Sequence, residues 1–130
     1  MDTQMLHDCL ELAFQGKLSF PETIRRMAAD GVERYHADLV RLEKTHYRGP
    51  ASHAEEMPLG SAPAVADEFR VTGIKDALAA IQQRRIDYPE FLRRIMSAGV
   101  SDYAVYLNSR KAIYTGRTGE SYVEPFPPQP

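Results

Sequence analysis

The stretch SFPETIRRMAADGVERYHADL, residues 19–39, returns as DYPEFLRRIMSAGVSDYAVYL at residues 87–107, and this recurrence decides the fold. Pro21-Glu22 matches Pro89-Glu90, Arg25-Arg26 matches Arg93-Arg94, Gly31-Val32 matches Gly99-Val100, and Tyr35 matches Tyr103. Extended outward, residues 5–39 align without gaps on residues 73–107 at an offset of 68, with 11 identities in 35 pairs. Self-similarity over such a length marks an internal duplication. Past Leu39 the best local matches slip to 67, setting Lys44 through Gly49 on Lys111 through Gly116. They then move to 69, setting Ser52 through Glu55 on Ser121 through Glu124. Length changes are tolerated in turns and not inside paired strands, so each slip is expected at a turn.

Each half predicts two helices followed by short strands. Leu6, Cys9, Leu10 and Ala13 recur at helical spacing over about residues 4–15, as do Ile74, Ala77, Leu78 and Ile81 in the copy. Ser19 and Asp87 are N-caps for a second helix, each followed by proline in the first turn and by Glu22 or Glu90 at the capping-box position. Glu22 with Arg26, and Glu90 with Arg94, sit four apart and pair along a solvated face. Gly31 and Gly99 then end the helices in the left-handed conformation. In the strands that follow, Tyr35, Ala37 and Leu39, like Tyr103, Val105 and Leu107, are expected to face the helices.

Strands near 44–48 and 111–115 return as hairpins, with short third strands near 52–56 and 121–124. Gly116-Arg117-Thr118-Gly119 precedes a strand and not a helix, so it reads as a hairpin turn and not as a phosphate loop. The expected fold is α+β, a two-layer sandwich with helices on one face of an antiparallel sheet. It forms one domain over residues 1–130, from repeats at about 5–58 and 73–127 joined by the turn-rich linker 59–72. The proline-rich tail Phe126-Pro127-Pro128-Gln129-Pro130 is expected to be extended.

The length of 130 residues, with 43% hydrophobic and 26% charged side chains, fits one globular domain and not a disordered or membrane-spanning chain. Sixteen Lys and Arg against eighteen Asp and Glu leave a charge of −2, so nothing in the totals points to nucleic acid or an anionic membrane. The lone Cys9 closes no intrachain disulfide, and its apolar neighbours make it an inert buried thiol. The N-terminus has neither the basic residues nor the apolar run of a secretory signal, which predicts a cytoplasmic protein.

One layer of helices leaves the other sheet face without a lid, and the copies differ most there. His36 and Asp38 become Ala104 and Tyr106, and at the slipped offset His46 becomes Ile113. His36, Asp38 and His46, with His53 close by, would supply nitrogen and oxygen donors suited to a divalent, zinc-like metal. The plain alternative is a solvated polar face. Tyr106, Ile113 and Tyr122 would form an apolar patch that packs on a partner, in the simplest case a second copy in a twofold dimer. Its alternative is a linker folded back so that Phe69 or Val71 covers the patch. No Gly-x-Ser-x-Gly elbow occurs, Ser19 is engaged as a cap, and the adjacent carboxylates Glu55-Glu56 and Asp67-Glu68 have no reason to converge. The residues therefore favour a binding or interaction module, with a metal-binding module or metal-dependent enzyme as the alternative.

Ile86-Asp87-Tyr88-Pro89-Glu90-Phe91-Leu92-Arg93-Arg94-Ile95-Met96 through Gly99-Val100, Gly31 through Leu39, and Gly119-Glu120-Ser121-Tyr122-Val123-Glu124-Pro125 together span both halves. In these segments the chain resembles a small bacterial and prophage family of YbcV and YdfO type, whose members often carry the label "phage envelope protein". The resemblance implies a two-layer α/β domain and brings no catalytic residues.

Overall fold

The computed structural model describes residues 1–128 of the chain; the expectation of an extended tail at Gln129 and Pro130 falls outside them. The order is α1 (Thr3–Phe14), α2 (Phe20–Ala29), β1 (Arg34–Asp38), β2 (Glu43–Arg48), β3 (Ala51–Glu56), α3 (Val71–Gln82), α4 (Tyr88–Ser97), β4 (Val100–Tyr106), β5 (Lys111–Gly116) and β6 (Ser121–Pro125). The fold is α+β, and the helix-helix-strands pattern occurs twice. Its six strands form one antiparallel sheet in the order β3-β2-β1-β4-β5-β6. β1 meets β4 at the centre, so the two halves share a continuous sheet.

Local chemistry explains the helix ends. The Ser19 and Asp87 side chains accept from the amides of Glu22 and Glu90, and a proline occupies the first turn of α2 and of α4. Arg26 pairs with Glu22 at 3.3 Å and Arg94 with Glu90 at 3.1 Å, on exposed faces where such pairs contribute a few tenths of a kcal/mol. The duplication extends to backbone conformation. Positive φ recurs 68 residues apart at Gly16 and Arg84, at Gly31 and Gly99, and at Leu42 and Arg110. For Arg84, Leu42 and Arg110 a left-handed backbone is sterically unfavourable, so its recurrence reflects a turn shape dictated by the elements on either side.

One buried cluster gathers side chains from both halves, including Leu6, Met27, Tyr35 and Leu39 from the first and Ile74, Leu92, Ile95, Tyr103 and Tyr114 from the second. The second helix of each half begins against the other half. Phe20 meets Phe126 edge to face at 5.1 Å, and Tyr88 meets Phe14 in the same geometry at 5.3 Å. The linker lies along α4: Arg93 donates to the Gly60 carbonyl, the Ala66 amide to Met96 and the Arg70 amide to Ala98. Val71 opens α3, and Phe69 packs against the core and beside Gly116, so neither lies over Tyr106 and Ile113. Among the described residues, no helix is long and apolar enough to cross a membrane.

The slip to an offset of 67 is corrected by the strand registers. Tyr35 opposes His46, and Tyr103 opposes Tyr114; Asp38 opposes Glu43, and Tyr106 opposes Lys111. Both hairpins therefore keep the offset of 68, and the structural counterpart of His46 is Tyr114, not Ile113. The one inserted residue lies in the turn between β5 and β6, since His46 opposes His53 whereas Tyr114 opposes Tyr122. There the Gly116 amide donates to Glu120 and the Gly119 amide to Gly116, closing the expected hairpin turn.

Candidate functional site

Side chains alternate across a strand, so the pairing partners define rows on each sheet face. On the face away from the helices, three rows cross all six strands. The middle row is Ala54, Thr45, His36, Ala104, Ile113 and Val123. To one side run Glu56, Glu43, Asp38, Asp102, Thr115 and Ser121; to the other run Ser52, Tyr47, Arg34, Tyr106, Lys111 and Pro125. One flank thus carries four carboxylates and the other two cations and two tyrosines, with a mostly small and apolar strip between them.

His36 directly opposes Ala104, its own counterpart in the second half, so the pseudo-twofold axis passes between them. That axis exchanges the two flanks. Arg34 corresponds to Asp102, Asp38 to Tyr106, Glu43 to Lys111 and Tyr47 to Thr115. The copies have diverged here so that Asp102, Asp38 and Glu43 on one flank have a cation or an aromatic ring as their counterparts on the other.

Several of these side chains are held by neighbours. The Arg34 guanidinium lies 3.7 Å from the Tyr47 ring centroid, a cation-π contact that stiffens the basic flank. His36 Nε2 lies 3.0 Å from Asp102 Oδ2, and Ser101 Oγ donates to Asp102 Oδ1 at 2.9 Å. Asp38 Oδ1 accepts from the amides of Val40 and Arg41 and so shapes the β1–β2 turn. Val123, at 48% exposure, is the most open large apolar side chain of the middle row.

The four candidate metal ligands do not share a face. His36 and Asp38 lie on the open side, but His46 opposes the buried Tyr35 and His53 opposes His46, which sends both histidines beneath the sheet toward the helices. The backbone separates the two pairs, and no group of three or more His, Cys, Asp or Glu residues among the described residues is arranged to hold a metal ion. Tyr106 and Ile113 lie on the open face as expected. Tyr122 does not: it opposes the buried Tyr114 on the helix side, where its hydroxyl donates to Glu124 Oε1 at 2.6 Å. That bond pushes the Tyr122 hydroxyl up to about 12, with burial and the Glu124 charge adding to it.

Beneath the first half the structure places a polar cluster that sequence reasoning missed. His7 Nδ1 of α1 lies 2.6 Å from Glu55 Oε1, and His53 Nε2 lies 3.4 Å from Glu55 Oε2. The bond to Glu55 raises the His7 pKa. His46 is 1% exposed, and neither ring nitrogen has a hydrogen-bond partner among the described residues. Burial, then the nearby Lys44 and His53, pushes His46 down to about 3, so its ring is neutral at physiological pH. Lys44 is 5% exposed, its ammonium 4.6 Å from the Tyr35 ring centroid and 4.8 Å from that of Tyr88. The second half fills the equivalent sites with Ala112, Tyr114 and Tyr122. An unbroken offset of 68, carried through the hairpin, would have set His46 on Tyr114 and shown it to be buried.

A search of curated proteins finds no match. The family model described as "Protein of unknown function (DUF1398)" matches residues 43–124, from β2 to β6 and well over half of the chain. The chain therefore belongs to the DUF1398 family of proteins of unknown function.

Proposed function

We propose that the protein is an interaction module that pairs with a second copy of itself through its uncovered sheet face. The observation that carries this reading is the sorting of that face into an acidic flank, an apolar strip and a basic, aromatic flank. Such a surface contains its own complement. Six strands about 4.8 Å apart and three rows about 6.8 Å apart cover roughly 600 Å² in projection, just below the ~800 Å² per partner of a standard interface. That size suits reversible association. The sheet edges are poorer sites for self-association: β3 carries Glu55 and Glu56 between Pro50 and Pro58, and β6 ends at Pro125 with Pro127 beyond it. The resemblance to prophage proteins of YbcV and YdfO type brings no residue role to this reading.

Sedimentation velocity over a concentration series tests it. The wild-type chain is expected to pass from monomer to dimer, and Ile113→Glu, which sets an unpaired charge in the apolar half of the strip, to weaken the dimer at least about tenfold. A wild-type chain that stays monomeric, or a dimer indifferent to Ile113→Glu, contradicts the reading.

A further inference from the structure

Face-to-face pairing by a twofold axis leaves one choice open, the direction in which the axis crosses the sheet. We infer that it runs across the strands, along the row from Ala54 to Val123, so that each copy lays its acidic flank on the basic flank of the other. This rests on the dimer reading above. The argument is geometric. An axis along the strands would superpose like flanks and lay β1 on the partner's β4, setting Asp38 against the partner's Asp102 at both symmetry-related places, with Arg34 and Lys111 against the partner's Tyr106 and Tyr47 and no carboxylate opposite a cation. Close like charges at an interface disfavour that arrangement strongly.

An axis along the middle row inverts the strand direction and keeps the strand order. Asp38 then faces the partner's Arg34, Glu43 faces the partner's Tyr47, and Asp102 faces the partner's Tyr106. The two sheets stack in the aligned class, about 10 Å apart. Ile113 and Val123 each lie near their own copy, which joins the apolar halves of the two strips.

The two axis directions differ in which strand lies over which. With the axis across the strands, β3 covers β3 and β6 covers β6. With the axis along the strands, β3 covers β6. Ala54 and Val123 are exposed at opposite ends of the middle row, five strand spacings or about 24 Å apart. Ala54→Cys and Val123→Cys are made in the full chain and treated with a short bismaleimide above the dimer's dissociation constant. Cys9 is 1% exposed, so the wild-type chain is the unreactive control.

Each variant alone is expected to give covalent dimer, with at least tenfold more product than the same sample diluted to monomer. A mixture of the two is expected to give no more mixed product than that diluted sample. Crosslinking confined to the mixture shows that the axis runs along the strands and overturns the inference while leaving the dimer standing. A dimer that links at neither position overturns it as well. A wild-type chain with no dimer in sedimentation overturns the face reading and the axis together.

Discussion

Gly99→Ala is expected to destabilise the fold by about 3–5 kcal/mol, whereas Gly31→Ala, at the matching place in the first half, costs about 1–2 kcal/mol. Both glycines end a helix with positive φ, at +92° and +81°. A side chain in that region is strained wherever it occurs, and this accounts for the shared part of the cost. The difference lies in what each Cβ would meet. At Gly99 it would stand 2.2 Å from the Glu68 carbonyl oxygen and 2.8 Å from Phe69 Cα, both backbone atoms of the linker. At Gly31 the nearest atom is Cδ of the flexible Arg48 side chain at 3.2 Å. The linker must move off α4 to admit the methyl group at 99, breaking the Arg70 amide bond to Ala98. Urea unfolding of the two variants beside the wild type checks this; equal losses would show that the linker does not press on the helix end.

Acid is expected to weaken the protein through His46. Its folded pKa of about 3 lies below the ordinary value of 6.5, so the unfolded chain binds the proton more tightly. The stability held by the neutral ring is fully present above pH 6.5 and is lost as the pH falls toward 3. At pH 5 the loss from this one group is about 2 kcal/mol, a large part of the margin of a small domain. His7 acts in the opposite sense. Its pKa is raised by Glu55, so its contribution is present below 6.5 and is lost as the pH rises through the folded value. It lies on the surface and modifies the profile only slightly. His46→Phe puts an aromatic ring where the second half has Tyr114. It is expected to remove most of the difference in stability between pH 7 and pH 5 without cost at pH 7, because neither ring nitrogen of His46 has a hydrogen-bond partner among the described residues. If the variant keeps the full wild-type acid loss, the buried ring is not its source.

The readable parts of the sequence were those governed by local chemistry. Ser19 and Asp87 bear oxygens three residues before an amide that needs an acceptor, and both cap as expected. Tyr35 alternates with the polar Arg34 and His36, Tyr103 holds the matching place in the duplicated frame, and both face the helices. The second strand misled because its chemistry is inverted. On β2 the outward side chains include Thr45 and Tyr47, while Lys44 and His46 are buried. The slipped offset set Lys44 on Lys111, Tyr47 on Tyr114 and Gly49 on Gly116, three identities that outweighed the geometric requirement of equal hairpins. A one-residue shift sends every side chain of a strand to the other face, so this slip alone put His46 on the wrong side. His53 followed His46 by pairing. Tyr122 was misplaced because the face of β6 depends on the length of its turn. The polar cluster was hidden for the same reason: Lys44 is tolerated inside only because two aromatic rings flank its ammonium, a tertiary contact without a local signature. The rows of the open face needed all five pairings, and no single strand contains them.

The most direct test of the central claim is a set of amide ¹H–¹⁵N spectra of the wild-type chain recorded from dilute to concentrated solution. Shifts that grow with concentration are expected at His36, Asp102, Ala104, Ile113 and Val123 and their row neighbours, with the amides of α1 to α4 unmoved. Shifts centred on the helices, or spectra that do not change across the series, would contradict the claim that the uncovered sheet face is where this protein meets its partner.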